Sequence, residues 1–394
     1  MKQYISTIFV WLAVALLLGG CGGSDPTPSP TVSIPTFSPA IAAGSDEHTV
    51  ALKGDGTVWT WGWNVWGQLG DNSTTQRTLP VQVAGLSRVT AIAAGAGHTV
   101  ALKSDKTVWV WGSNGTGQIG DNSVTNRWVP VQVTGLSDVI AVAAGGEHTV
   151  SLKSDGTVWA WGNNASGQLG DNSATNRWVP VQVTGISGVA AVSAGLYHTV
   201  ALKSDGTVWA WGHNEYGQIG DNATGFGSYK SAPVQVQGLS GVVDVAAGGY
   251  HTIALKSDGT VWAWGNNAHG QLGINLPNFM SPYPVPQQVT GLTGVVAIAA
   301  GFQHTFAIKN DGTVWAWGSN VKGALGNGTT FSEVAPVQVT NFTGFVAVAL
   351  GFDFTVALKS DGTIWASGNN QYGELGRGTA DNSAHPVPAQ VIGL

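Results

Sequence analysis

One passage of about fifty residues is written seven times along this chain, and that period constrains the fold more than any other feature. His48, His98, His148, His198, His251 and His304 stand 50, 50, 50, 53 and 53 residues apart, and Phe354 takes the seventh place another 50 on. The third copy reads Ala143-Ala-Gly-Gly-Glu-His-Thr-Val-Ser-Leu-Lys-Ser-Asp-Gly-Thr-Val-Trp-Ala-Trp-Gly162, then Asn164-Ala-Ser-Gly-Gln-Leu-Gly170, then Pro180-Val-Gln-Val. A unit of this length cannot bury its apolar residues alone. It must stack on its neighbours.

Each copy reads as four short strands: Ala-Ile-Ala-Ala, His-Thr-Val-Ala-Leu-Lys, Val-Trp-Ala-Trp and Pro-Val-Gln-Val. Asp-Gly between the second and third marks a tight hairpin, because glycine accepts the positive φ the turn needs. The second copy carries Asp105-Lys106 there instead, at an expected cost of roughly 1 kcal/mol for placing a Cβ in the left-handed region. The proline opening the fourth strand suits an edge, where no ladder N–H is required. Val-Trp-Ala-Trp is apolar on both faces, so both faces must be covered. Four-stranded antiparallel blades stacked face to face around an axis do this, and the expected fold is an all-β, seven-bladed β-propeller. The chain enters at Ala40–Ala43 and its last strand-like run spans Val387–Ile392. We expect that run to pair beside Ala40–Ala43 and close the ring by mixing the two ends in one blade.

Gly-x-x-His-Thr-x-Ala-Leu, followed by Asp-Gly-x-Val-Trp-x-Trp-Gly-x-Asn-x-x-Gly-Gln-Leu-Gly, resembles the regulator-of-chromosome-condensation repeat. The resemblance covers residues 40–394 and implies a seven-bladed propeller. The first copy departs from it, with Ser45, Asp46 and Glu47 between its glycine and histidine. In wording and in apparent export the chain is similar to the secreted bacterial propellers of that family, which implies a binding propeller. The family founder's nuclear exchange activity is not carried over to an acidic, exported chain.

Residues 1–20 read as a lipoprotein signal peptide. Lys2 precedes the apolar run Ile8–Leu18, and Leu18-Gly-Gly-Cys21 resembles a lipobox. Cys21, the single cysteine, is the expected lipidation site, and residues 21–39, rich in proline, form a tether. The expected location is a bacterial cell envelope. Because Gly22 rather than Asp follows the cysteine, it would be the outer membrane where two membranes exist. One cysteine excludes a disulfide framework. A net charge of −6 without a Lys/Arg run excludes a nucleic-acid footprint and leaves the lipid as the membrane contact.

No nucleophile–base pair, paired carboxylates or phosphate loop stands above the repeat, so the chain reads as no enzyme, with no cofactor and no metal. The recurring histidines read as structural, each bonded to nearby backbone, since Phe354 can replace one. Asp71, Asp121, Asp171 and Asp221 could suggest calcium but lack further oxygens at EF-hand spacing, and read as turn residues. The tandem tryptophans read as blade-to-blade packing, with Ser367 in place of the fourteenth weakening a seam of the last blade.

Strand alternation sends the Gly-x-x turn and the Gly-x-Asn-x-x-Gly loop to one face, the Asp-Gly turn to the other. The second face repeats almost unchanged. The first varies and is rich in aromatics: Trp63, Trp66, Tyr197, Tyr216, Tyr250, His269, Phe302, Phe352 and Tyr372. Two three-residue insertions add Phe226, Tyr229, Phe279, Met280 and Tyr283, and Trp128 and Trp178 sit in matching connections. About half should tuck against their own loops. The remainder are expected to bind a protein partner, with a glycan as the alternative ligand and a monomer as the working state.

Overall fold

The computed structural model describes residues 37–274, 282–341 and 343–394. The expected signal peptide, Cys21 and most of the expected tether, along with Phe279 and Met280, lie outside the described residues.

Seven four-stranded antiparallel sheets follow one another, each with its strands in chain order from the pore outward. In the first blade these are Ala40–Ala43, His48–Leu52, Val58–Gly62 and Arg77–Gln82. The burial pattern follows the chemistry. The second strand is buried at every apolar position, while the outer Pro-Val-Gln strand is half-buried, as an edge should be. The protein is a seven-bladed β-propeller. Ala43, Ala94, Ala144, Ala194, Ala247, Ala300 and Leu350 line a narrow central cavity of about 150 Å³. Small side chains there let seven inner strands converge on one axis.

Closure differs from the sequence expectation. The final strand, Asp381–Gln390, pairs with Ile364–Asn370 of its own blade, with Trp365 opposite Gln390 and Ala366 opposite Ala389. Ala40–Ala43 pairs with His48–Leu52. Each copy already supplies four strands in order, so no blade needs to borrow one from the other end. Packing closes the ring instead: Phe354, Val356 and Val391 of blade 7 meet Ala51 and Trp61 of blade 1.

The seams are wired by a recurring set of buried hydrogen bonds. Trp111 Nε1 and Thr99 Oγ1 of blade 2 both donate to the backbone oxygen of Gln68 in blade 1, at 2.9 and 2.8 Å. His48 Nε2 of blade 1 lies 3.0 Å from Thr99 Oγ1. A hydroxyl has one hydrogen, and Thr99 has given it to Gln68. The histidine must therefore donate, which fixes the Nε2–H form and leaves Nδ1 as a buried acceptor without a partner. The histidines are structural, but they bridge blades through threonine hydroxyls rather than holding their own backbone. Burial pushes them down, His148 to about 3 and His98 to about 4, so they are neutral in the folded state. The first tryptophan of each pair, such as Trp59, is half-buried beneath a lysine. The second, such as Trp61, is fully buried in the seam.

Lys106 adopts φ +67°, as its hairpin position demands. The recurring aspartates are loop residues. Asp71 accepts from Ser73 N, Ser73 Oγ and Asn64 Nδ2, and Arg77 closes on its other oxygen at 2.7 Å. Arg127, Arg177 and Lys230 do the same for Asp121, Asp171 and Asp221. The loop's own cation already occupies these carboxylates.

Candidate functional site

The turn preceding each histidine and the loop following each tryptophan pair emerge together beside the pore. The glycines flanking them leave no room for side chains: a Cβ on Gly195 would come within 2.3 Å of the His198 ring. With its neighbours committed to packing, the residues just ahead of each histidine and the loop after each tryptophan pair carry the variation.

Those residues meet over blades 4 to 7. Tyr250 is the centre, with ring centroids 6.2 Å from Tyr197, 5.7 Å from His213, 5.3 Å from Tyr216 and 5.9 Å from Phe302. Phe302 continues to Phe352 at 4.5 Å. The rings pack tilted or edge-on, so their edges and only parts of their faces reach solvent. Trp63 and Tyr372 form a separate stacked pair at 5.4 Å across the seam between blades 7 and 1. The other expected anchors stand apart. Trp66 is exposed beside Gly97, Phe226 projects wholly into solvent, Tyr229 lies exposed at the start of an outer strand, and His269 is exposed on its loop. Trp128 and Trp178 pack on Gly67 and Gly117 of the preceding blades while remaining half-exposed.

A second set was missed in the sequence although it occupies the same turns. Asp46 and Glu47 in blade 1, Glu147 in blade 3 and Asp353 in blade 7 border the ring patch with carboxylates. Burial raises Asp46, helped by the charge of Glu147, and burial raises Asp353 against the pull of Lys322 and His269. Glu47 is pushed up to about 7, first by burial and then by Asp353 and Asp46, while Asn369 and Lys322 oppose it. The tyrosines sense the same field: Tyr197 is raised by burial and by Glu147 and Asp46. Burial, with Tyr197, Tyr216 and Glu215, carries Tyr250 to about 12. His213, also missed, sits between Tyr197 and Tyr216 and 3.7 Å from Glu215. The signal was present, since charged and aromatic residues share the two positions ahead of the histidine among the seven copies. Only the ring geometry shows which blades bring them together.

Among the described residues no group of three or more histidine, cysteine or acidic side chains converges as a metal site. The arrangement supplies apolar edges, phenol hydroxyls and negative charge: a surface for recognition.

The comparisons agree with this geometry. Residues 19–288 and 139–394 match the RCC1-like domain. The chain is 38% identical to human HERC6, a probable E3 ubiquitin-protein ligase, over 110 residues, which are 26% of this chain and 10% of that protein. It is 34% identical to fission-yeast pim1 over 124 residues, 28% of this chain and 23% of pim1. The matched stretches thus span only a small part of these relatives. Among solved structures it resembles Prp20p of Saccharomyces cerevisiae, studied with its binding to Gsp1p and histones. The TM-score is 0.72 at 25% identity, covering 81% of each chain. Human WBSCR16 gives 0.73 at 27% identity, with 82% of this chain and 88% of that one covered. Seven blades, the repeated seam and the family match lead to one conclusion: the chain belongs to the RCC1-like domain family.

Proposed function

We propose that this propeller is a binding module whose variable loop face captures a protein partner presenting basic and apolar side chains. The observation that carries this reading is the continuous patch from Tyr197 to Phe352, centred on Tyr250 and bordered by Asp46, Glu147 and Glu215. A lysine or arginine beside such rings gains both the carboxylate attraction and the cation–π term. The binding of Prp20p, which shares the fold, to Gsp1p and histones supports a protein partner. A glycan is the weaker fit, because sugars stack on open, flat ring faces. Here the patch rings meet at 37–77° and Trp63 and Tyr372 cover one another.

The test uses a captured, purified partner. Tyr250→Ala should weaken binding by at least about thirtyfold if it acts as a hot spot worth about 2 kcal/mol, and added salt should weaken it further. Asp361→Ala, on the opposite face, serves as the control. A Tyr250→Ala variant that binds like the parent would remove the patch from the site, and a glycan-array signal sensitive to Tyr250→Ala would favour the sugar reading.

The anchor belongs to the same proposal: Cys21 would carry lipid and hold the propeller at a bacterial envelope surface, exposing this face. Cys21→Ala should release the protein into the soluble fraction; unchanged membrane fractionation would exclude the anchor.

A further inference from the structure

Gln68, Gln118, Gln168, Gln218 and Gln271 hold one loop position in blades 1 to 5. Each accepts through Oε1 from the backbone N–H two residues earlier. In blades 3 and 5 the amide Nε2 also donates to the asparagine five residues earlier, Gln168 to Asn163 Oδ1 at 3.0 Å and Gln271 to Asn266 Oδ1 at 2.9 Å. Blade 7 has Asn369 and, in place of glutamine, Glu374. Glu374 Oε2 keeps the first contact, accepting from Tyr372 N at 2.8 Å. The second cannot form, because a carboxylate has no hydrogen to give. Glu374 Oε1 and Asn369 Oδ1 are both buried without a partner, in residues only 0% and 3% exposed.

Asn369 cannot repair this by turning over. Its Nδ2 is committed across the seam to Glu47 Oε1 of blade 1 at 2.5 Å. The turn carrying Glu47 is one residue longer than its counterparts, and Glu47 takes φ +60° within it. Turning the amide would serve Glu374 but set an oxygen against Glu47. One amide between two carboxylates is one hydrogen short, whichever way it faces.

We propose that the missing hydrogen is a bound proton: Glu47, Asn369 and Glu374 form a one-proton site that bridges the first and last blades and ties ring closure to pH. With the proton on Glu374, its O–H donates to Asn369 Oδ1, replacing the amide hydrogen that glutamine supplies in blades 3 and 5. Burial carries both Glu47 and Glu374 to about 7. The charged groups around the pair are Asp46 and Asp353, which add to the rise at Glu47, and Lys322, which opposes it; at Glu374 the acting charge is Glu47 itself. The two carboxyls therefore titrate as a pair. The site sits on the closure seam. The Glu374 backbone oxygen receives Thr49 Oγ1 and Trp61 Nε1 of blade 1, and Trp63 N donates to Glu47 O. Losing the proton leaves an unpaired buried carboxylate beside these bonds and beneath the Trp63–Tyr372 pair. The inference holds whatever the face binds.

Glu374→Gln installs the residue that five other blades carry and supplies the hydrogen permanently. Unfolding of the parent and of this variant is measured from pH 4.5 to 8.5. A carboxyl raised in the fold makes the folded state hold more protons, so the parent loses stability relative to the variant as pH rises towards 7. The ratio of their unfolding constants should change by up to about tenfold per pH unit in that window and level off above it. Taking the ratio cancels the histidines, which both proteins share. A pH-independent ratio would overturn the proposal. A second measurement needs no variant. The chain has five glutamates, and ¹³C-carboxyl labelling of them should show a resonance titrating near 7, whereas five ordinary titrations would overturn it equally.

Discussion

The seams joining blades 1 to 6 repeat one hydrogen-bond set, and the two seams of blade 7 each keep only part of it. Between blades 4 and 5, for example, His198 meets Thr252, and Thr252 and Trp264 share the oxygen of Gln218. Between blades 6 and 7, Ser367 stands where the tryptophan should be and reaches the Ala324 oxygen at 3.4 Å. Between 7 and 1, Phe354 replaces the histidine and Thr49 receives no imidazole hydrogen, although Trp61 and Thr49 still hold the Glu374 oxygen. At the seam between blades 6 and 7 the His304–Thr355 contact at 3.2 Å remains, and at the closing seam the threonine and tryptophan bonds remain. Serine gives up the area an indole packs, whereas phenylalanine keeps a ring about the size of histidine's. The two losses should differ in cost.

The largest effect comes from a seam that keeps its indole, set against the one that lacks it. Trp211→Ala should cost about 3–5 kcal/mol through the cavity and the loss of one of the two hydrogen bonds to the Gln168 oxygen, which keeps Thr199, while Ser367→Ala, at a seam already without indole, should cost under about 1 kcal/mol. Denaturant unfolding of both variants measures this, and similar losses would mean that the tryptophans do not carry the seams.

The smaller effect concerns acid. A histidine with a folded pKa of about 3, as at His148, takes up its proton below 6.5 only by unfolding. The unfolded state then binds more protons, and stability falls as pH drops below 6.5. Each histidine contributes up to about 1.4 kcal/mol per pH unit. His148→Phe copies the seam of blade 7 and should reduce that slope by one proton while changing stability little at pH 8. An unchanged slope between pH 6.5 and 4.5 would show that His148 is protonated within the fold.

Much of the architecture was legible because a repeat makes every statement seven times. The blades, the strand order, the structural role of the histidines and the exceptions at Phe354 and Ser367 all follow from aligned copies. Closure was misjudged for a local reason: the phase of the repeat does not say whether a blade ends within its own copy or borrows from the next. The candidate site was half legible. Aromatics at Tyr197, Tyr250 and Phe302 announce themselves against unchanged turns on the opposite face. Asp46, Glu147 and Asp353 occupy the same turns but are not singled out there.

The sequence by itself determined what each blade is, since strand length, alternation and the Asp-Gly turns are local properties of some fifty residues. Only the tertiary structure decided what the blades do to one another. Cross-blade bonds join residues about fifty positions apart, and Glu47 and Asn369 meet across 322. Whether a polar group ends paired or orphaned depends on the neighbour the ring delivers, and closing the ring brings Glu47 and Glu374 to a single amide.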